Sequence, residues 1–153
     1  MARLHEYQGK VLLRDLGIPI PNGGAASTAE EAAEIALGIG KPVVVKAQIW
    51  VTGRAGLGAI RFADTPQEAA KVASEMLGKP IKGFTVDTVL VEEKLDIEQE
   101  FYVGVIINDQ MKAPVMIFSS MGGTGIEEIA LEHPEAVHQI VIDIRTGLAD
   151  YYC

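Results

Sequence analysis

Polar residues at positions 5–10 give way to apolar ones at Val11, Leu12, Leu13 and Leu16, a spacing that predicts a helix over residues 5–16. Gly17 and the Pro19/Pro21 pair stop it. Ser27 or Thr28, followed by Glu30 and Glu31, forms a capped helix start, and that helix is expected to reach about Leu37. Residues 38–41 end it, and Pro-Val-Val-Val-Lys at 42–46 predicts a strand with a return strand over 59–63. Thr65 as cap and Pro66 at the first helical position open another helix that ends near Gly78. Strands are expected over 88–92, 100–107 and 111–118, the last two joined as an antiparallel hairpin through Asn108, Asp109, Gln110 and Met111. After a glycine turn at 122–125 come a short apolar or helical piece over 126–131 and a final strand around 141–144. Met111, Met116 and Met121 read as core or gap-filling residues. Strand, helix and strand followed by a run of antiparallel strands indicate an α+β fold, with no flexible linker and no repeat.

Composition narrows the classes. With 153 residues, 48% of them hydrophobic, the chain can bury the core of one domain or of two small lobes. Its apolar runs are strand-length, so no membrane span is expected, and the first residues lack the apolar stretch of a signal peptide. A single cysteine, Cys153, rules out an internal disulfide and fits a reducing cytoplasm. The formal net charge of −8 argues against nucleic-acid binding, which depends on phosphate contacts to lysine and arginine. It also repels polyphosphates at long range, so a nucleotide site here needs local cations and a divalent metal.

Residues 42–61 hold the candidate chemistry. The valine-rich strand delivers Lys46, and Gly53, Arg54, Gly56 and Gly58 follow in a loop. A glycine loop lets backbone N–H groups approach an anion, and Lys46 and Arg54 add full charge beside it, a combination suited to clamping polyphosphate. A strand with a surface lysine and a solvent hairpin would read the same way. The pattern is neither the Walker loop nor the dinucleotide fingerprint. His5, His133 and His138 lack metal-ligand spacing, so a zinc site is not expected.

Three segments, Leu4-His5-Glu6-Tyr7-Gln8-Gly9-Lys10, Leu16-Gly17-Ile18-Pro19-Ile20-Pro21 and Val44-Val45-Lys46-Ala47-Gln48, occur in this order. Further on stand Val89-Leu90-Val91-Glu92, Asp96-Ile97, Glu100-Phe101-Tyr102-Val103-Gly104, Gly122-Gly123 and Ile126-Glu127. In these the chain resembles, over essentially its whole length, the start of the β subunit of succinyl-CoA synthetase (succinate–CoA ligase, ADP-forming) and its citryl-CoA and malyl-CoA relatives.

The resemblance implies an ATP-grasp fold that binds ATP or GTP between two small α+β lobes. Residues 21–98 would form approximately the first lobe, with 1–20 and 99–153 part of an incomplete second lobe. By the same resemblance Lys46 contacts phosphate, and Gly53, Arg54 and Ala55 cover it. Glu92 and Leu95 border adenine at the hinge, and Glu100 lies near the ribose. The match has departures. Ala55 stands where the family has glycine, Gly56 where it has lysine, and Trp50 where it has histidine. Met121-Gly122-Gly123 replaces Glu-Gly-Gly, and Thr124-Gly125 replaces Val-Glu.

The aspartate and asparagine that hold Mg²⁺ in the family lie beyond the matched segment, as do the CoA-ligase domain and the α subunit with its phosphohistidine. The chain is therefore expected to be the nucleotide-binding portion of an acid–thiol ligase and inactive alone. The ligase α subunit or the remaining half of the β subunit would handle CoA and a dicarboxylate. The other reading is a non-catalytic ATP-grasp-like module that docks on a partner subunit.

Overall fold

The structure is a computed structural model that describes residues 3–51, 57–123 and 125–148. The chain forms two compact units, Met1–Asp96 and Ile97–Cys153. The first unit runs α1 (Glu6–Asp15), β1 (Gly23–Ala26), α2 (Ala29–Ile39), β2 (Val43–Ala47), β3 (Ile60–Ala63), α3 (Pro66–Met76), a small hairpin of β4 (Pro80–Ile81) and β5 (Phe84–Thr85), and β6 (Val89–Glu93). The second runs β7 (Tyr102–Asn108), β8 (Ala113–Ser119), α4 (Ile126–Glu132), a 3-10 turn at Pro134–Ala136 and β9 (Val137–Val141).

In the first unit β1, β6, β2 and β3 form one sheet in that order, every neighbouring pair antiparallel. Val43, Val45 and Ala47 of β2 and Val89 and Val91 of β6 alternate onto one face and pack with Ala32 and Ala36 of α2 and Ala69, Val72 and Ala73 of α3. These valines are fully buried, and each burial is worth roughly 1.5–2 kcal/mol. The other face carries Val44 and Lys46 of β2 beside Leu90 and Glu92 of β6. One face is therefore all core, and the opposite face carries charge.

Both core helices begin as the sequence predicts. Thr28 Oγ1 accepts the Glu31 N–H at 3.1 Å, and Thr65 Oγ1 accepts that of Glu68 at 3.2 Å, with Pro66 in the first turn. Glu31 and Glu68 reach back one residue further than the cap, to the N–H groups of Ser27 and Asp64. Gly40 closes α2 in the left-handed region at φ 68°, where a side chain would be strained.

Several expectations change. The opening helix α1 is in the first compact unit, tied to it by Glu6, Tyr7 and Lys10. Its apolar residues Val11, Leu12, Leu13 and Leu16 are exposed, and no residue of α1 is fully buried. β1, made only of glycine and alanine, carries no strand signal of its own and is imposed by pairing with β6. The last strand lies at Val137–Val141, in register with β8, rather than around 141–144. Residues 143–147 turn instead, closed by the Gly147 N–H on the Asp143 carbonyl at 2.7 Å and by Arg145 on the Asp143 carboxylate. Met111 and Met121 are exposed rather than core; the deeply buried methionine is Met76.

The expected hairpin β7–β8 forms, paired from Tyr102–Ser119 to Asn108–Ala113. Asn108 Oδ1 holds its turn by accepting the N–H groups of Gln110 and Met111. β9 completes a three-stranded antiparallel sheet in the second unit.

Candidate functional site

Lys46 lies on the last turn of pleat in β2, on the charged face, where alternation fixes its direction. Its Nζ is 2.9 Å from Glu6 Oε1 and 2.9 Å from Glu92 Oε2. Lys10 Nζ binds Glu92 Oε1 and lies 3.4 Å from Glu6 Oε1. Among the described residues, two lysines and two glutamates thus alternate around a ring of ion pairs. Glu6 and Lys10 enter it because they are one helical turn apart on α1 and share a face. Burial pulls the Lys46 ammonium pKa down, but the hydrogen bonds and charges of Glu6 and Glu92 more than offset this, and its pKa rises above the ordinary lysine value. Lys46 therefore stays charged at neutral pH.

Glu92 is the best shielded member of the ring, its side chain 3% exposed against 21–22% for Lys46, Lys10 and Glu6. Its cross-strand partner is Gly23, where a Cβ would stand 2.9 Å from the Glu92 Cα and Cγ. The same Cβ would stand closer still to the Val91 carbonyl oxygen, so glycine at 23 is what lets β1 lie this close to the β6 backbone. Gln48, also buried, accepts the Tyr7 N–H at 3.3 Å and donates to the Lys46 carbonyl at 3.1 Å, so the start of α1 and the end of β2 are fixed together.

β6 ends at Glu93, within the segment expected to meet adenine. The Glu93 N–H donates to the Asn22 carbonyl at 2.8 Å and the Lys94 N–H to the Pro42 carbonyl at 2.9 Å. Leu95 follows the last of these bonds and is half exposed. Lys41 binds the Glu93 carboxylate and holds its pKa below the usual carboxylate range. The ammonium of Lys94 lies over the Phe62 ring.

After β2, Trp50 stacks on His5 with ring centroids 4.5 Å apart and meets Phe84 edge-on at 6.3 Å. A groove of about 570 Å³ opens beside the stack, lined by Arg3, His5, Glu6, Ile49, Trp50 and Val51. Gly53, Arg54 and Ala55, the expected phosphate-covering loop, lie outside the described residues, as does Gly56. Among the described residues no group of three or more His, Cys, Asp or Glu side chains is placed to hold a metal ion. No helix among them is long and apolar enough to cross a membrane.

Glu100 belongs to the second unit and is exposed. Its carbonyl accepts the Gly122 N–H at 2.9 Å, and a Cβ on Gly122 would meet Glu100 backbone at 2.6 Å. At Gly123 a Cβ would be 3.3 Å from Glu100 Oε2. Close approach to the Glu100 backbone thus explains Gly122, and a φ of 97° explains Gly123.

Of the residues expected from the sequence, the structure joins Lys46 and Glu92 directly, with Leu95 three residues along. Sequence reasoning missed Glu6 and Lys10 as members of the site. Their i, i+4 spacing was a readable signal of a helical pair, but not of the strands they meet.

The first unit is thus a four-stranded antiparallel sheet backed by two helices, with Lys46 on the face opposite them. The chain belongs to the ATP-grasp domain family, which matches residues 3–153. Within that family it is similar to succinate–CoA ligase β subunits. It is 48% identical over 148 residues to the GDP-forming β subunit of Thermus thermophilus and 48% identical over 149 residues to an ADP-forming β subunit of Archaeoglobus fulgidus. These matches cover 97% of this chain but 39% of each relative, so the chain spans about two-fifths of their length. Among solved structures, an acetyl-coenzyme A synthetase of Ca. Korarchaeum cryptofilum, in complex with coenzyme A and Ca-AMPCP, aligns with TM-score 0.72 at 24% identity, over 90% of this chain and 59% of that one. An ATP citrate lyase of Methanothrix soehngenii aligns with TM-score 0.69 at 20% identity, over 95% and 36%. These two likenesses are of fold.

Proposed function

We propose that the chain is the nucleotide-binding portion of an acyl-CoA ligase of the succinate–CoA ligase type, binding the phosphates of ATP or GTP for phosphoryl transfer. The observation that carries this reading is Lys46, held charged by Glu6 and Glu92 on the face of the sheet opposite the core helices, beside the Glu92–Leu95 segment. A compact ammonium suits the oxygens of a polyphosphate, and the backbone past Glu92 suits the edge of a purine. Glu100 is assigned to the ribose hydroxyls as an ionised acceptor. Gly53, Arg54 and Ala55 are assigned to cover the phosphates, with a weaker grip than a loop bearing lysine at position 56.

Mg²⁺ would bridge and neutralise the phosphate oxygens in such a ligase. The described residues bring together no group of three or more His, Cys, Asp or Glu that fits that ion, and its ligands are proposed to lie outside this chain. The partners we propose are the ligase α subunit and the remaining part of a β subunit, which would handle CoA and the dicarboxylate, in a reducing cytoplasm. The exposed apolar residues Val103, Val105 and Ile107 along one side of β7 favour a second reading, an assembly module that docks on a partner without catalysis.

Calorimetric titration of the chain with Mg-ATP and Mg-GTP tests the choice. Saturable binding that one nucleotide dominates supports the ligase portion. Heat indistinguishable from dilution for both overturns it and leaves the docking module.

A further inference from the structure

Resting on that nucleotide reading, we infer that Phe62 and Lys94 seat the nucleobase, and that the Lys94 ammonium makes the site select guanine over adenine. Phe62 of β3 stands directly opposite Val44 of β2, which in turn stands opposite Glu92 of β6. The ring therefore lies on the same face of the sheet as Lys46 and Glu92. It is 61% exposed, a flat apolar surface with the Lys94 ammonium 5.2 Å from its centroid. Lys46 is opposite Ile60, so Phe62 is its diagonal neighbour across the two strands, about 7–8 Å away. A base lying on Phe62 thus leaves its phosphates within reach of Lys46.

The donors around this ring differ in how far they are already committed. The N–H groups of Glu93 and Lys94 are spent on the Asn22 and Pro42 carbonyls. Lys10, Lys41, Lys46 and Arg61 are each paired with a glutamate. Lys94 has no carboxylate partner among the described residues, and its side chain is exposed while its backbone is fixed by the bond to Pro42. A flat base stacked on Phe62 displaces the ammonium from the ring, and its flexible stem turns it to the edge of that base. Guanine presents two acceptors side by side on one edge, O6 and N7, whereas adenine presents N7 beside an amino donor. The lysine ammonium has three donors and no acceptor. It matches the guanine edge and sets donor against donor at adenine.

The test titrates the full chain and its Lys94→Met, Lys94→Glu and Phe62→Ala variants calorimetrically with the magnesium complexes of GTP, ITP and ATP. Far-UV circular dichroism verifies that each variant is folded. ITP isolates the contact, because its base keeps O6 and N7 but lacks the 2-amino group of guanine. Wild type is expected to bind GTP and ITP about tenfold more tightly than ATP. Lys94→Met should shrink that gap to about twofold or less, by weakening GTP and ITP while leaving ATP unchanged. Lys94→Glu should reverse the preference, since a carboxylate accepts the adenine amino group. Phe62→Ala should weaken all three nucleotides alike, by about tenfold, through the loss of stacking. A merely structural role for Lys94 would move the three nucleotides together. Equal binding of GTP and ATP by wild type, ITP behaving as ATP does, or uniform weakening in Lys94→Met overturns the inference alone. Absence of binding of every nucleotide by wild type overturns the nucleotide reading itself.

Discussion

Glu92 and Lys46 are diagonal neighbours on adjacent antiparallel strands, Glu92 opposite Val44 and Lys46 opposite Leu90, with carboxylate and ammonium 2.9 Å apart. The pleat puts them on the same face, and the other face is sealed by valines and helices. The sheet thus serves as a core on one side and as a rigid mount for charge on the other.

Nucleotide binding is expected to depend on Lys46. Lys46→Ala should weaken ATP about ten- to a hundredfold, the worth of one charge-assisted contact to phosphate, as read by calorimetry on a folded variant. Wild-type affinity in that variant would remove Lys46 from the site.

Glu92 should matter more for stability than any exposed acid. Glu92→Ala leaves Lys10 and Lys46 facing each other with only Glu6 between them, and urea unfolding should show a loss of about 3 kcal/mol. Glu75→Ala, which breaks the half-exposed pair with Arg61, is expected to change stability far less. Equal effects would mean that the shielded ring contributes nothing special.

Gly23→Ala is expected to destabilise by about 1–3 kcal/mol, because its methyl group would fall within 3 Å of the Glu92 backbone. Gly38, where a Cβ meets nothing within 4 Å, provides the comparison, and Gly38→Ala should be tolerated. Thermal melting of the two variants decides whether that close approach is real.

The raised pKa of Lys46 has a definite sign. Its stabilising contribution is complete below the unfolded lysine value of about 10.4 and is lost as pH rises through the higher folded value. Wild type should therefore lose stability more steeply than Lys46→Met as pH rises above the ordinary lysine value, a difference measurable by denaturant titration. Parallel curves would mean that the ion pairs are not formed in solution.

Position 56 offers a test from the sequence alone. Gly56→Lys restores a charge found in relatives of the resembled family and should tighten ATP binding with a steeper salt dependence. An unchanged constant at low and high salt would speak against a phosphate role for this loop.

The sequence by itself determined the elements whose signals are local. Thr28 and Thr65 announce their helices because a hydroxyl cap needs only the next three residues, and Val43 to Val45 announce a buried strand through side-chain shape. Together with the resemblance it also picked out Lys46 and Glu92. Only the tertiary structure decided that these two touch, that Gly23-Gly24-Ala25-Ala26 is a strand, and that Glu6 and Lys10 close the ring. Each of those outcomes depends on groups 40 to 82 positions apart in the case of the ring, or on a neighbouring strand that supplies hydrogen bonds in the case of β1. It likewise left Val11, Leu12 and Leu13 exposed, because apolar spacing fixes that a helix has a face, while burial requires something to be packed against it.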